Sequence, residues 1–309
     1  MAKILTLTLN PALDLTVQLP MLVPGQVNRS DEMHTHAAGK GVNVAQVLAD
    51  LGHQLTVSGF LGEDNLQAFE TLFAKRGFTD AFIRVPGETR SNIKLAENDG
   101  RITDINGPGP RVSEAAQQAL LDRLDQIAPG HDAVVVAGSL PRGVSAQWLR
   151  ELILRLKKRG LNVALDTSGE ALRAGLSAGP WLIKPNTEEL AEALDCEVVS
   201  VGAQAEAASR LHAHGIEHVV ISHGADGVNW FSVARRCMPH RPRSAWSVPS
   251  VRGIRCWRAC CTACSVPIRL NRPCAPPLRL QPWPSPRSVL ASATPRNWRS
   301  SNRACACAP

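Results

Sequence analysis

Residues 39–52, GKGVNVAQVLADLG, read as a helix that begins on two glycines flanking a lysine and ends on a third glycine. A helical period puts Val44, Val47, Leu48 and Leu51 on one apolar face, and Gly52 suits a left-handed C-cap. The segments on either side are strands: KILTLTL (3–9) alternates, and LTVSGFLG (55–62) is a short apolar run. The unit is therefore strand, helix, strand, and the same rhythm continues along the chain. A helical NLQAFETLFAKRG (65–77) follows. AVVVAGSLP (133–141), LNVALDTSG (161–169), WLIKPN (181–186) and HVVISHGADG (218–227) are further apolar runs ending in polar, glycine-rich residues. Amphipathic stretches near 113–127, 145–159, 187–194 and 202–214 separate them. Strands alternating with helices at this spacing predict an α/β fold with a mostly parallel sheet covered by helices on both faces. Ligands of such a sheet sit at the carboxyl ends of the strands, where the polar motifs fall.

Two segments break the rhythm. DLTVQLP (14–20) and RSNIKLAENDGRITDING (90–107) carry strand-like alternation, the second with an NDG turn that predicts a β-hairpin. Together they predict a small β-lid over the strand ends, drawn from residues near 14–36 and 88–107.

Composition divides the chain at about residue 233. The formal charge is +7, yet residues 234–309 hold fourteen Arg and no Lys, Asp or Glu, which leaves 20 basic against 27 acidic side chains in residues 1–233. An acidic body with a basic tail argues against reading the net charge as one nucleic-acid-binding surface. Cysteine splits at the same place, with Cys196 alone in the body and eight in the tail. One Cys in the body fits a reducing compartment. No run approaches the roughly 18 apolar residues of a membrane span, and the N-terminus carries Asp14 within its alternation, unlike a signal peptide. A cytoplasmic chain is expected.

Each motif has a chemical and a purely structural reading. In HAAGKGVNVA (36–45), Gly39, Lys40 and Gly41 open a helix whose free N–H groups favour an anion or a hydroxyl-rich ligand; they also make an ordinary helix start. The P-loop pattern GxxxxGK[ST] is absent. Asp14, after LNPA, can grip sugar hydroxyls or cap a turn. Arg90 can hold a phosphate bidentately at the base of the lid, or be a solvated surface charge. In KPNTEEL (184–190), Lys184 and Asn186 end a strand and Glu189 follows three residues on. That spacing suits a metal-phosphate unit, and equally a helix capping box; the two are compatible. SHGADG (222–227) is a turn that lets backbone approach a nucleotide, or a plain turn.

LNPALD, HAAGKGVNVAQVLADLG, GFLGEDN, TRSNIKL, AGSLPRG, DTSGEAL, KPNTEEL and VISHGADG occur here in the order found in the ribokinase-like PfkB sugar kinases. The chain resembles that family from residue 1 to about 232. The resemblance implies a ribokinase-like fold and transfer of the γ-phosphoryl group of ATP, with Mg2+, to the 6-hydroxyl of fructose 1-phosphate. The form AAGKG favours that sugar over tagatose 6-phosphate or fructose 6-phosphate. By position it implies that Asp14, Gly39, Lys40, Gly41, Asn43 and Arg90 bind the sugar phosphate. Lys184, Asn186, Ser222, Gly224, Ala225 and Gly227 would bind ATP, and Glu189 would act on Mg2+ through water. A homodimer formed through the lid is the partner expected, with no membrane and no specific nucleic acid.

Such kinases also need a GAGD segment, whose N–H groups form an anion hole and whose aspartate takes the hydroxyl proton. It is absent, so no catalytic base is assigned. In its place, residues 248–265 read VPSVRGIRCWRACCTACS. Written as AGT ACC GTC GGT GCG GGG GAT TCG, the expected STVGAGDS yields V-P-S-V-R-G-I-R once its first base is dropped. The same offset turns LLAGMLHGLL into C-W-R-A-C-C-T-A-C, residues 256–264. The reading is a single frameshift near codons 232–234. The ragged CxxxCCxxC lacks the second ligand pair of a zinc site. Fourteen arginines would bind anionic surfaces whatever their origin. With no helical or strand period the tail is expected to be disordered, and the chain to be an impaired kinase or a non-catalytic sugar-phosphate-binding remnant.

Overall fold

The computed structural model describes residues 1–224 and 227–233; Ala225 and the tail from residue 234 lie outside the described residues, as do the expectations placed on them. The parallel α/β architecture is present. Strands β1 (Lys3–Thr8), β4 (Gln54–Gly62), β9 (Ala133–Ala137), β10 (Asn162–Asp166), β11 (Leu182–Ile183) and β12 (His218–Ser222) pair in parallel. The sheet order is β13-β12-β11-β10-β9-β1-β4-β5, in which β5 is Thr79–Asp80 and β13 (Val228–Ser232) is an antiparallel edge. β6 (Ile83–Val85) pairs with the end of β4.

Period-two alternation divides the sheet residues between two cores. Leu5, Leu7, Val134, Val136, Val163, Leu165, Val219 and Ile221 lie in one cluster with the buried faces of α3 (Glu114–Ile127), α4 (Ala146–Lys158), α5 (Gly169–Ser177), α6 (Thr187–Leu194) and α7 (Val201–Ala213). Ile4, Val135, Ala137, Ala164, Leu182 and Val220 lie in the other, with α1 (Lys40–Asp50) and α2 (Gln67–Arg76). Each fully buried Leu, Ile or Val removed from water contributes about 1.5–3 kcal/mol before entropy, so this alternation fixes the sheet register.

Some details differ from the sequence expectation. In α1, Val44 and Leu48 are buried as expected, but Val47 and Leu51 are only half-buried, because Gly41, Val42 and Ala45 turn the packed stripe toward β1. WLIKPN contributes only the two-residue ladder of β11; Pro185 has no N–H to extend it. α5 and β13 did not stand out in the hydrophobic pattern.

The off-rhythm segments form a separate four-stranded sheet, ordered β3-β2-β7-β8, from β2 (Ala12–Leu19), β3 (Glu32–Ala38), β7 (Ser91–Glu97) and β8 (Ile102–Asn106). The expected hairpin is β7–β8, closed by the Gly100 N–H to Glu97 carbonyl bond of 2.9 Å. Its register sorts the side chains by face. His36, Asp14, Asn92 and Asn106 form one polar row, beside His34, Thr16, Lys94 and Asp104. The opposite face carries Met33, Val17 and Leu95 beside Leu15, Ile93 and Ile105.

Candidate active site

The carboxyl ends of β1, β9, β10, β11 and β12 bring most of the singled-out residues together. Gly39 sits at φ +129°, a backbone conformation that side chains rarely adopt. A Cβ on Gly41 would fall 2.3 Å from Thr8 Oγ1 and 2.9 Å from the Leu7 carbonyl. Both glycines are therefore required for α1 to start against the end of β1, which also leaves its first-turn N–H groups without a side-chain cap. Between them Lys40 crosses to β10, where its Nζ lies 3.2 Å from Asp166 Oδ1.

Asp14 stands on the polar face of the lid. Asn92 Nδ2 donates to its Oδ1 at 3.1 Å and Lys94 Nζ lies 3.2 Å from its Oδ2. Asp14, His36 and Asn43 line one cleft, whose far wall is Gln67, Thr71 and Lys75 of α2. Of the expected sugar ligands, Asp14 and Asn43 thus share a cleft, whereas the Lys40 ammonium turns to Asp166.

Arg90 lies at the lid base, and its guanidinium donates to three backbone carbonyls: Nε to Pro11 at 3.3 Å, Nη1 to Gly107 and Nη2 to Asn10, both at 3.2 Å. Burial lowers its pKa, opposed by the charge of Asp14. One N–H on each Nη remains for an anion. Arg90 is thereby both a fastener of the lid and a phosphate candidate.

On the other side of β10, Lys184 is buried, with Nζ 3.3 Å from Asp166 Oδ2. Asn186 caps α6, and its side chain and that of Glu189 form a reciprocal capping box. Asn186 also bridges to Ser222, whose N–H donates to the Pro185 carbonyl at 3.1 Å. The His223 N–H to Gly227 carbonyl bond, 2.9 Å, closes the turn holding Gly224. Lys184, Asn186, Ser222, Gly224 and Gly227 therefore gather at one end of β11 and β12; Ala225 lies outside the described residues.

Glu189 fits an outer-sphere Mg2+ role. One carboxylate oxygen is held by the Asn186 N–H, while the half-buried side chain keeps its second oxygen for a hydrated cation. Among the described residues no cluster of three or more His, Cys, Asp or Glu is placed to bind a metal directly.

Asp166 is the functional candidate that sequence reasoning missed. DTSG marked only a strand end, with nothing nearby in sequence to single out its aspartate; the fold shows lysines from two motifs converging on it. Asn10 was missed too: its Nδ2 donates to Ser139 Oγ at 3.2 Å, tying LNPA to GSLP. Among the described residues no helix is long and apolar enough to cross a membrane.

A family model described as pfkB family carbohydrate kinase matches residues 7–248. The chain is 49% identical over 228 residues to the 1-phosphofructokinase of Vibrio cholerae serotype O1, covering 74% of this chain and 72% of that one. It is 43% identical over 233 residues to the 1-phosphofructokinase of Haemophilus influenzae, covering 75% and 74%. Among solved structures, the tetrameric inhibited form of phosphofructokinase-2 from Escherichia coli superposes with a TM-score of 0.69 at 28% identity, over 77% of this chain and 79% of that one.

Proposed function

The chain belongs to the pfkB family of carbohydrate kinases, and on that premise we propose that it is a cytoplasmic 1-phosphofructokinase by descent. Its substrates are fructose 1-phosphate and ATP with Mg2+, and its product is fructose 1,6-bisphosphate. The observation that carries the reading is the convergence of Lys40 and Lys184 on Asp166, between the Asp14–Asn43 cleft and the Asn186–Ser222 corner.

The family reading assigns the roles, and that geometry supports them. Asp14 and Asn43 engage sugar hydroxyls; Arg90 offers its remaining N–H groups to the sugar's phosphate. Lys184, Asn186 and Ser222, with Gly224 and Gly227, receive the triphosphate, and the family reading alone adds Ala225 to them. Two lysines at the strand ends offset charge on the phosphoryl oxygens, and fixing donor and acceptor in line is most of the catalytic task. Glu189 would hold Mg2+ through water, and the ion would supply charge neutralisation to the triphosphate there.

Turnover is a separate matter. The family match ends at residue 248, where the restored frame places STVGAGDS. A single frameshift has removed the base and the anion hole, together worth several kcal/mol of transition-state stabilisation. Sugar-phosphate binding is retained, since its residues precede the break. Calorimetric titration of the full chain with fructose 1-phosphate tests the first part, and absent binding would sink it. A coupled assay tests the second: turnover appears only after the reading frame is restored, and full activity of the chain as it stands would refute the frameshift reading.

The same family reading makes the apolar lid face, with Met33 and Ile105 58% and 53% exposed, the place where a second copy of the chain docks.

A further inference from the structure

We infer that Asp166 is a positioning residue that yokes the acceptor side of the cleft to the donor side, by holding Lys40 and Lys184 on its two carboxylate oxygens. Lys40 is the first residue of α1, the helix that brings Asn43 to the sugar cleft; Lys184 follows β11, beside Asn186 on the proposed nucleotide side. The two contacts are nearly equal, 3.2 Å to Oδ1 and 3.3 Å to Oδ2. Asp166 is itself fixed from the backbone, since its carbonyl accepts from the Gly138 N–H at 2.9 Å.

Burial makes the arrangement asymmetric. The Asp166 and Lys184 side chains are 5% and 9% exposed, and that of Lys40 is 49% exposed. A carboxylate taken out of water needs a counter-charge, which Lys184 supplies from inside. Lys40 adds a second cation from the cleft side, so the triad carries net positive charge toward solvent, where an anionic group would arrive. One carboxylate thus sets the position of a cation on each side of the phosphoryl group to be transferred. Disturbing it is felt by both ligands, which is the requirement for thermodynamic coupling between two sites.

This deepens the kinase reading, which supplies the identity of the two ligands; the yoke itself is a property of the three side chains. The full chain is compared with Asp166→Asn, Lys40→Met and the double variant. In urea without ligand, Lys40→Met lowers the unfolding midpoint of the parent chain and leaves that of Asp166→Asn unchanged. Equal shifts in both backgrounds would overturn the yoke. By calorimetry, Asp166→Asn weakens fructose 1-phosphate and ATP binding by about tenfold each, the change that follows from misplacing one charged contact per ligand. A loss confined to one ligand would overturn the inference. Lys40→Met leaves the buried pair intact and keeps the test open if Asp166→Asn does not fold. With Lys40 gone, Asp166 is no longer held from the sugar side and the position of Lys184 is less well set, so ATP affinity falls severalfold; unchanged ATP affinity overturns the yoke. Should the parent chain bind neither ligand, the kinase reading fails and the urea comparison alone decides the yoke.

Discussion

The Asn186 side chain accepts a hydrogen bond from the Glu189 N–H at 2.6 Å, and the Asn186 N–H returns one to Glu189 Oε2 at 2.9 Å. Glu189 therefore has a structural task that is independent of any metal, and substitutions can separate the two. Glutamine preserves the capping box but not the charge; alanine removes both. Glu189→Ala is expected to cost about 1 kcal/mol of stability and Glu189→Gln about half that, through the lost charge at the helix N-terminus. Both should weaken the Mg2+ dependence of ATP binding equally. Urea unfolding and titrations at fixed Mg2+ read the two effects; if Gln keeps the metal dependence intact, Glu189 is a cap alone.

Arg90 has the same double character. Its three carbonyl acceptors lie on two chain segments, so it laces the β8 end to the turn after β1. Lysine cannot reproduce a planar fork with donors in three directions. Arg90→Lys is expected to destabilise by about 2 kcal/mol, the scale for charged donors lost from half-buried acceptors. Hydrogen exchange should quicken first at Leu13, whose N–H bonds the Arg90 carbonyl at 2.8 Å. Uniform quickening across the parallel sheet would show that Arg90 does not act locally on the lid.

The fold was legible because its periods are clean. Odd and even residues of β1, β9 and β10 face different cores, and short apolar runs ending in Gly, Asn or Asp mark the strand ends. α5 escaped notice because GEALRAGLS is short and follows DTS without a strong cap; its N-cap Ser168 makes no side-chain bond. Side-chain direction was the part hidden from sequence. Lys40 and Arg90 read equally as ligands of one sugar phosphate, and only long-range packing sends one to Asp166 and the other to backbone carbonyls. Residues that act through partners more than a hundred positions away, as Asp166 does with Lys40, leave no local spacing to find.

His53 sets a pH dependence whose sign can be worked out. The Ala2 N–H donates to its Nδ1 at 3.2 Å, so that nitrogen carries no proton in the folded state. Burial, then the N-terminal ammonium, lowers its pKa below the ordinary 6.5, with Asp132 opposing. A base whose pKa is lower when folded binds protons more tightly when unfolded. Its contribution is complete above 6.5 and declines as pH falls from 6.5 toward the folded value. His53→Asn should therefore flatten the stability loss between about pH 7.5 and 5.5 by a few tenths of a kcal/mol, after allowance for solvent screening. Urea midpoints across that range check it; an unchanged slope would remove His53 from the account.

The lid's two faces make opposite demands on solvent. Asp14 accepts from Asn92 and pairs with Lys94 on the polar face, but Leu15, Val17, Met33, Ile93, Leu95 and Ile105 form an apolar patch on a sheet only four strands wide. An exposed apolar face of this kind marks an interface, and a two-fold axis lets one face serve both partners. Met33 and Ile105 are the most exposed members, so charging them leaves the monomer's packing intact while placing like charges across the proposed interface. Each large apolar side chain buried on association is worth about 1.5–3 kcal/mol, so Met33→Glu with Ile105→Glu should raise the dimer dissociation constant by about a hundredfold or more. Sedimentation equilibrium of the full chain and of the double variant measures this. A parent chain that stays monomeric at high concentration would rule out the lid as the dimer contact, and dimers unaffected by both charges would place the contact elsewhere.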